Sequence, residues 1–179
     1  MKRFTWVACA VLLILTAGGR AIEPQASTPL SVRIVPTSYH EKTGRSIVLR
    51  QPSDHFAVVI TNVSDRPVKL WREWCSNGYF NLSFVATGED GEPVVVRKKP
   101  RGWDKNYPDA TIVPPGDHMV LEVTFDEAIW QGLSLPGKNR SRTLKLKAEY
   151  SVEGSQQAEE HGVWVGRASS PEESFAIWK

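Results

Sequence analysis

Hydrophobic and polar residues alternate with a period of two along most of this chain. The clearest run is LKLKAEYSVE at 144–153, where Leu144, Leu146, Ala148, Tyr150 and Val152 fall on one face and Lys145, Lys147, Glu149, Ser151 and Glu153 on the other. Successive side chains of an extended chain point to opposite faces, so this run predicts a strand with one face in a core and one in water. Shorter runs of the same kind predict strands over 32–35, 47–49, 56–61, 68–72, 80–87, 94–97, 119–125, 163–168 and 175–178. Turn chemistry bounds most of them: NVSDRP after Thr61, EDGEP after Gly88 and PPGD before His118. The Asp90-Gly91 pair predicts a hairpin, since glycine accepts the positive φ of tight turns. Helical periodicity is confined to DEAIWQGL at 126–133, which predicts about two turns at most, with Asp126 as N-cap. About ten short strands spaced 8 to 12 residues apart predict an all-β chain folded as an antiparallel β-sandwich.

The amino terminus departs from this pattern. Lys2 and Arg3 precede an apolar stretch from Trp6 to Leu15, and Ala17, Gly18 and Gly19 follow. That order of charge, apolar run and small residues predicts a signal peptide over 1–21, with Gly19 and Ala21 small enough for the cleavage site. The run is shorter than the roughly 20 apolar residues that span a bilayer, and no later segment approaches that length, so no transmembrane segment is expected after cleavage. EPQASTP predicts a flexible tether over 22–30, and the sandwich is expected over 31–179. Cleavage removes Lys2, Arg3 and Arg20, so the 22 basic residues fall to 19 against 20 acidic ones, which leaves no global basic field for nucleic acid. Cys9 leaves with the signal and Cys75 stays alone, so no intramolecular disulfide is expected.

Three stretches carry a resemblance. FAVVITNVSDRPVKL resembles the strand, Asn-x-Ser turn and strand of bacterial exported immunoglobulin-like domains. IVPPGDHMVLEVTF is similar to their Pro-Gly turn and following strand, and GVWVGRASSPEESFAI to their closing hairpin. The resemblance implies an immunoglobulin-like sandwich in a periplasmic or extracellular location. It also implies that the Asn-x-Ser sites at Asn62, Asn81 and Asn139 are turn and strand asparagines rather than glycan acceptors. Such a fold serves many functions and names none.

Reaction chemistry finds no foothold, and neither an enzyme nor a cofactor is expected. Blue-copper sites place a cysteine shortly before a histidine and a methionine, whereas after Cys75 no histidine comes until His118, and Met119 beside it points to the opposite face of a strand. His40, His55, His118 and His161 are scattered singly, without zinc spacing. A nucleophile elbow, a calcium loop and a phosphate cradle are all missing. WREWCSNGYF reads as strand and turn, with Cys75 as a buried hydrophobe sheltered by its aromatic neighbours.

Binding remains. RKKPRGWDKNY predicts a long loop in which Arg97, Lys98, Lys99 and Arg101 stand beside Trp103 and Tyr107, a set suited to an anionic polymer or to stacking on a sugar. Trp103 is expected in an exposed loop and Trp164 buried in a strand. The reading that follows is an exported, non-enzymatic binding or accessory module whose partner is a protein or a cell-envelope component. A carbohydrate-binding module built on loop aromatics, with Trp103, Tyr107 and Trp71 or Trp74, is the first alternative, and a protease inhibitor the second.

Overall fold

The structure, a computed structural model, describes residues 28–179 except 43 and 106. The expected signal peptide and most of the expected tether lie outside the described residues. In chain order the elements are β1 (Leu30–Val35), β2 (Ser38–His40), β3 (Gly44–Val48), β4 (Phe56–Asn62), β5 (Val68–Trp71), α1 (Ser76–Tyr79), β6 (Leu82–Thr87) and β7 (Pro93–Lys98). They continue as β8 (Ala110–Val113), β9 (His118–Val123), β10 (Trp130–Gln131), β11 (Ser141–Val152), α2 (Gln156–His161), β12 (Gly166–Ser169) and β13 (Glu173–Trp178). The chain is all-β, as the alternation predicts.

Among the described residues, three sheets share one core. A three-stranded sheet has the order β1-β4-β9, and an eight-stranded sheet runs β10-β7-β6-β11-β13-β3-β2 with β12 also paired to β11. Strands β5 and β8 make a separate two-stranded ladder. All pairs are antiparallel except β13 with β3. Period-two alternation builds the inner faces: Leu30, Val32 and Ile34 from β1 and Phe56, Val58 and Ile60 from β4 are buried together with Leu82, Phe84, Leu144, Leu146 and Phe175 of the large sheet. Strand β1 lies against β11 and β12, so the two sheets cover one another's apolar sides.

Two turns hold the ladders together. The Asn62 side chain, fully buried, donates to the carbonyls of Arg66 at 2.7 Å and Val113 at 2.9 Å and accepts from Ser64. It therefore braces the β4–β5 connection against the β8–β9 connection, and an amide used this way has no room for a glycan. In the PPGD turn Asp117 N–H donates to the Pro114 carbonyl at 3.1 Å, with Gly116 at φ 77. Proline at the second position and left-handed glycine at the third define a type II turn.

Several elements differ from the sequence expectation. The 126–133 segment is a turn, in which Asp126 Oδ1 caps Ala128 N–H at 2.8 Å, followed by the strand β10. A helix there would pull Trp130 away from the core that buries it. The strand expected at 80–87 starts at Leu82, and that at 163–168 is displaced to β12. Leu30, placed in the tether, is a buried residue of β1. Trp164 lies before β12 and is half-buried, stacked on Tyr150 at 6.3 Å.

Tyr150 carries a prediction. Its hydroxyl is buried and, like Asn81 Nδ2 nearby, completes no hydrogen bond among the described residues. Burial pushes the phenol above the usual tyrosine range, against the Asn81 amide, which pulls it down. The folded protein thus keeps this proton to higher pH than the unfolded chain. Its contribution is fully present below about pH 10 and is lost as pH rises further. Tyr150→Phe is expected to leave stability at neutral pH within about 1 kcal/mol of the parent or above it, because an orphaned hydroxyl is removed. It should also shallow the loss of stability above pH 10. Urea unfolding at pH 7 and pH 10.5 measures both effects.

Candidate functional site

The loop nominated from sequence is tied down by its own cations. Arg97 and Lys98 belong to β7 rather than to a loop, and the alternation that buries Val96 also turns Lys98 inward, leaving its side chain 3 % exposed. The Lys98 ammonium pairs with the Glu73 carboxylate and lies over the rings of Tyr79 at 4.7 Å and Trp130 at 5.5 Å. Burial lowers its pKa most, Glu73 raises it, and Arg101 lowers it further. The Arg101 guanidinium lies over Trp103 at 4.0 Å and Tyr79 at 5.0 Å, and Trp103 meets Tyr79 edge-on at 5.6 Å. Trp130, Lys98, Tyr79, Arg101 and Trp103 therefore form a ladder of alternating rings and cations. Each such contact is worth on the order of 0.5–2 kcal/mol, more where water is excluded. Trp103 is accordingly half-buried rather than exposed. Lys99 Nζ donates to the Glu127 carbonyl at 2.6 Å, and Arg97 is exposed on the other face of β7. Of the six nominated residues, Lys98, Arg101 and Trp103 come together as this scaffold, while Tyr107 stands apart and 74 % exposed.

WREWCSNGYF divides its aromatics between core and surface. Trp71 closes β5 and is buried against His161. Trp74, three residues on, is 62 % exposed with the Arg72 guanidinium over its ring at 4.8 Å. The switch comes from the tight path into α1, where a Cβ on Gly78 would lie 2.0 Å from the Arg72 carbonyl oxygen, so only glycine fits. Cys75 is the N-cap of this four-residue helix rather than part of a strand or turn. It is free and buried, with Sγ 3.2 Å from the Arg72 carbonyl and 3.6 Å from that of Asp109, geometry in which a thiol donates. Native maleimide labelling of Cys75 is expected to be slower than labelling in denaturant by at least about a hundredfold, the ratio set by opening of the fold. Equal rates would contradict this packing.

Trp74 stands between two open spaces. One is a groove of about 300 Å³ bounded by β8 residues Thr111–Val113, β9 residues His118–Leu121 and the Arg72–Trp74 segment. Ile112 is 61 % and Val120 50 % exposed beside it. Strand β9 ends its sheet, so its edge away from β4 pairs with no strand among the described residues. The other space, of about 390 Å³, is lined by Trp74, Cys75, Lys105, Tyr107, Pro108 and Asp109. Asp109 also holds Arg72 at 3.5 Å, which fixes the guanidinium over the indole. Among the described residues no three His, Cys, Asp or Glu side chains converge as a metal-binding group. The groove was missed in sequence because β8 carries no alternation, with only Val113 of its four residues buried.

No family model, curated protein or solved structure matches this chain.

Proposed function

We propose that the chain is an exported, immunoglobulin-like β-sandwich that performs no chemistry of its own and recognises another protein by accepting an extended segment beside β9. The observation that carries this reading is the unpaired β9 edge opening onto the groove rimmed by Trp74, Ile112 and Val120. An edge strand presents a row of backbone donors and acceptors. Pairing with them supplies affinity, and sockets for alternate side chains supply selectivity.

The other free edges among the described residues are short or carry a charge, β12 having four residues with Arg167 and β5 four with Lys69. Strands β2 and β10 have three and two residues, β8 runs into Pro114 and Pro115, and β1 carries Arg33 at its centre. Strand β9, HMVLEV, has six residues, and its one acidic side chain, Glu122, lies outside the residues that line the groove. The sandwich reading is supported by the two larger sheets burying one core between them, and export by the amino-terminal pattern of charge, apolar run and small residues. The partner is accordingly a protein of the cell envelope or beyond it.

Selection of random 12-residue peptides on the mature protein tests this. Peptides rich in β-branched and aromatic residues should emerge, and Val120→Lys or Trp74→Ala should weaken their binding at least about tenfold, the loss of one well-buried contact. Failure to select any peptide, or binding indifferent to both changes, would overturn the reading.

A second reading rests on a separate observation, the two exposed rings of Trp74 and Tyr107 lining one cavity with Lys105 and Asp109. Stacking of a sugar there gives a carbohydrate-binding module. Glycan binding that is lost in Tyr107→Ala and kept in Val120→Lys would favour it over strand addition.

A further inference from the structure

At the edge of the eight-stranded sheet, away from the β9 groove and sharing no residue with it, lies a cavity of about 460 Å³ lined by Ser38, His40, Lys42, Ser46, Val48, Arg50 and Trp178. The strand register explains why these side chains converge. Ser38 of β2 is opposite Ser46 of β3, which is beside Ala176 of β13, and one row along Val48 is beside Trp178. Residues paired across neighbouring strands share a face, so two hydroxyls, a valine and an indole form one floor, and His40 joins it from two residues along β2.

The walls are cationic. Lys42 and Arg50 rise from the turns that end β2 and β3, and among the described residues no carboxylate lines the cavity. The nearest acid to Arg50 in sequence, Asp54, turns its carboxylate to the backbone N–H groups of Arg50 and Gln51, both at 2.9 Å, rather than to the guanidinium. Neither Lys42 nor Arg50 forms a salt bridge among the described residues. His40 Nδ1 accepts the Lys42 backbone N–H at 3.3 Å, which leaves Nε2 as the nitrogen that donates outward.

We propose that this cavity binds a phosphate ester whose anionic oxygens meet Lys42, Arg50 and His40 and whose attached group packs on Trp178. Arginine presents paired donors that match the geometry of phosphoryl oxygens, and lysine adds an unpaired charge. The Ser38 hydroxyl, exposed on β2, donates from the floor, and the volume exceeds what an inorganic ion fills. The same chemistry is offered by a soluble phosphate ester and by a phospholipid headgroup.

The test titrates the mature protein with phenyl phosphate, with inorganic phosphate, and with phosphatidylcholine vesicles with and without phosphatidylglycerol, following the Trp178 indole N–H by NMR. Saturable binding of phenyl phosphate is expected, about tenfold tighter than inorganic phosphate because the ring gains the indole surface. Arg50→Ala and Lys42→Ala should each weaken it about tenfold, as loss of a charged hydrogen bond does, with the unfolding midpoint unchanged. Binding only to vesicles containing phosphatidylglycerol, lost in the same variants, assigns the ester to a lipid headgroup. No saturable binding in any arm, or binding that both variants leave unaltered, overturns the proposal. Because neither cationic residue borders the β9 groove, selected peptides should bind both variants normally, and failure here leaves that reading intact.

Discussion

Phe84→Ala is expected to cost about 3–5 kcal/mol of folding free energy, the range found when a fully buried phenylalanine is truncated and its cavity does not collapse. Phe84 is the centre of an aromatic cluster, with ring centroids 5.9 Å from Phe56, 5.1 Å from Phe125 and 5.5 Å from Trp130. These partners come from β4, from the second residue after the end of β9, and from β10, so one side chain ties both large sheets together. Relaxation around the hole is opposed by β11, which pairs β6 through Ala148 opposite Phe84. Urea unfolding followed by far-UV circular dichroism reads the change. Phe80→Ala provides the contrast, since Phe80 is half exposed and its loss should cost less than about 1 kcal/mol. Equal small costs at both positions would mean that β6 faces the other way.

The second large effect is an asymmetry at the Glu73–Lys98 pair. Glu73→Gln should destabilise by about 2–3 kcal/mol, because it leaves a buried ammonium without its counter-charge. That is less than the roughly 3–5 kcal/mol of a fully buried pair, because the Glu73 side chain remains 34 % exposed and water shares the load. Lys98→Met, which removes the charge and keeps the stem between Tyr79 and Trp130, should be neutral or stabilising. In the double variant the cost of Glu73→Gln should largely vanish, so a double-mutant cycle isolates the pair.

The pH dependence fixes the sign. Lys98 has its pKa lowered in the folded state, so between that depressed value and the usual 10.5 the unfolded chain binds more protons. Stability from this group therefore rises with pH across that window and is flat below it. Lys98→Met should abolish the rise.

What the sequence makes legible follows from how many residues carry a pattern. Strand β11 buries Leu144, Leu146, Ala148, Tyr150 and Val152 in strict alternation, and its place in a core can be read from the letters alone. The three residues of β2 are all exposed and β10 has two residues, so neither contains a pattern to find. Helix α2 buries only Ala158 and shows no helical period; its one signal is the bracket of Ser155, whose side chain caps Ala158 N–H, and left-handed Gly162.

The candidate site divides in the same way. Lys98 reads as one member of a basic run, yet extending the strand alternation of β7 past Val96 puts it on the inward side. That signal was present and is outweighed by the habit of placing charge in solvent. The opposed fates of Trp71 and Trp74 depend on the chain folding back at Gly78 onto Arg72, a close backbone approach within one short stretch that hydrophobic alternation does not register. The openness of β9 depends on which strands do not pair with it, a property of the whole topology rather than of HMVLEV.

The most direct measurement of the central claim is amide hydrogen exchange along β9, with and without a selected peptide. In the free protein the β9 amides that point away from β4 should exchange at least about a hundredfold faster than those bonded to it, as solvent-facing edge groups do. On binding, the same outward amides over 118–121 should become protected while Arg33 and its neighbours on β1 do not change. Outward amides already protected in the free protein, or a bound peptide that leaves their exchange unaltered, would contradict strand addition at this edge.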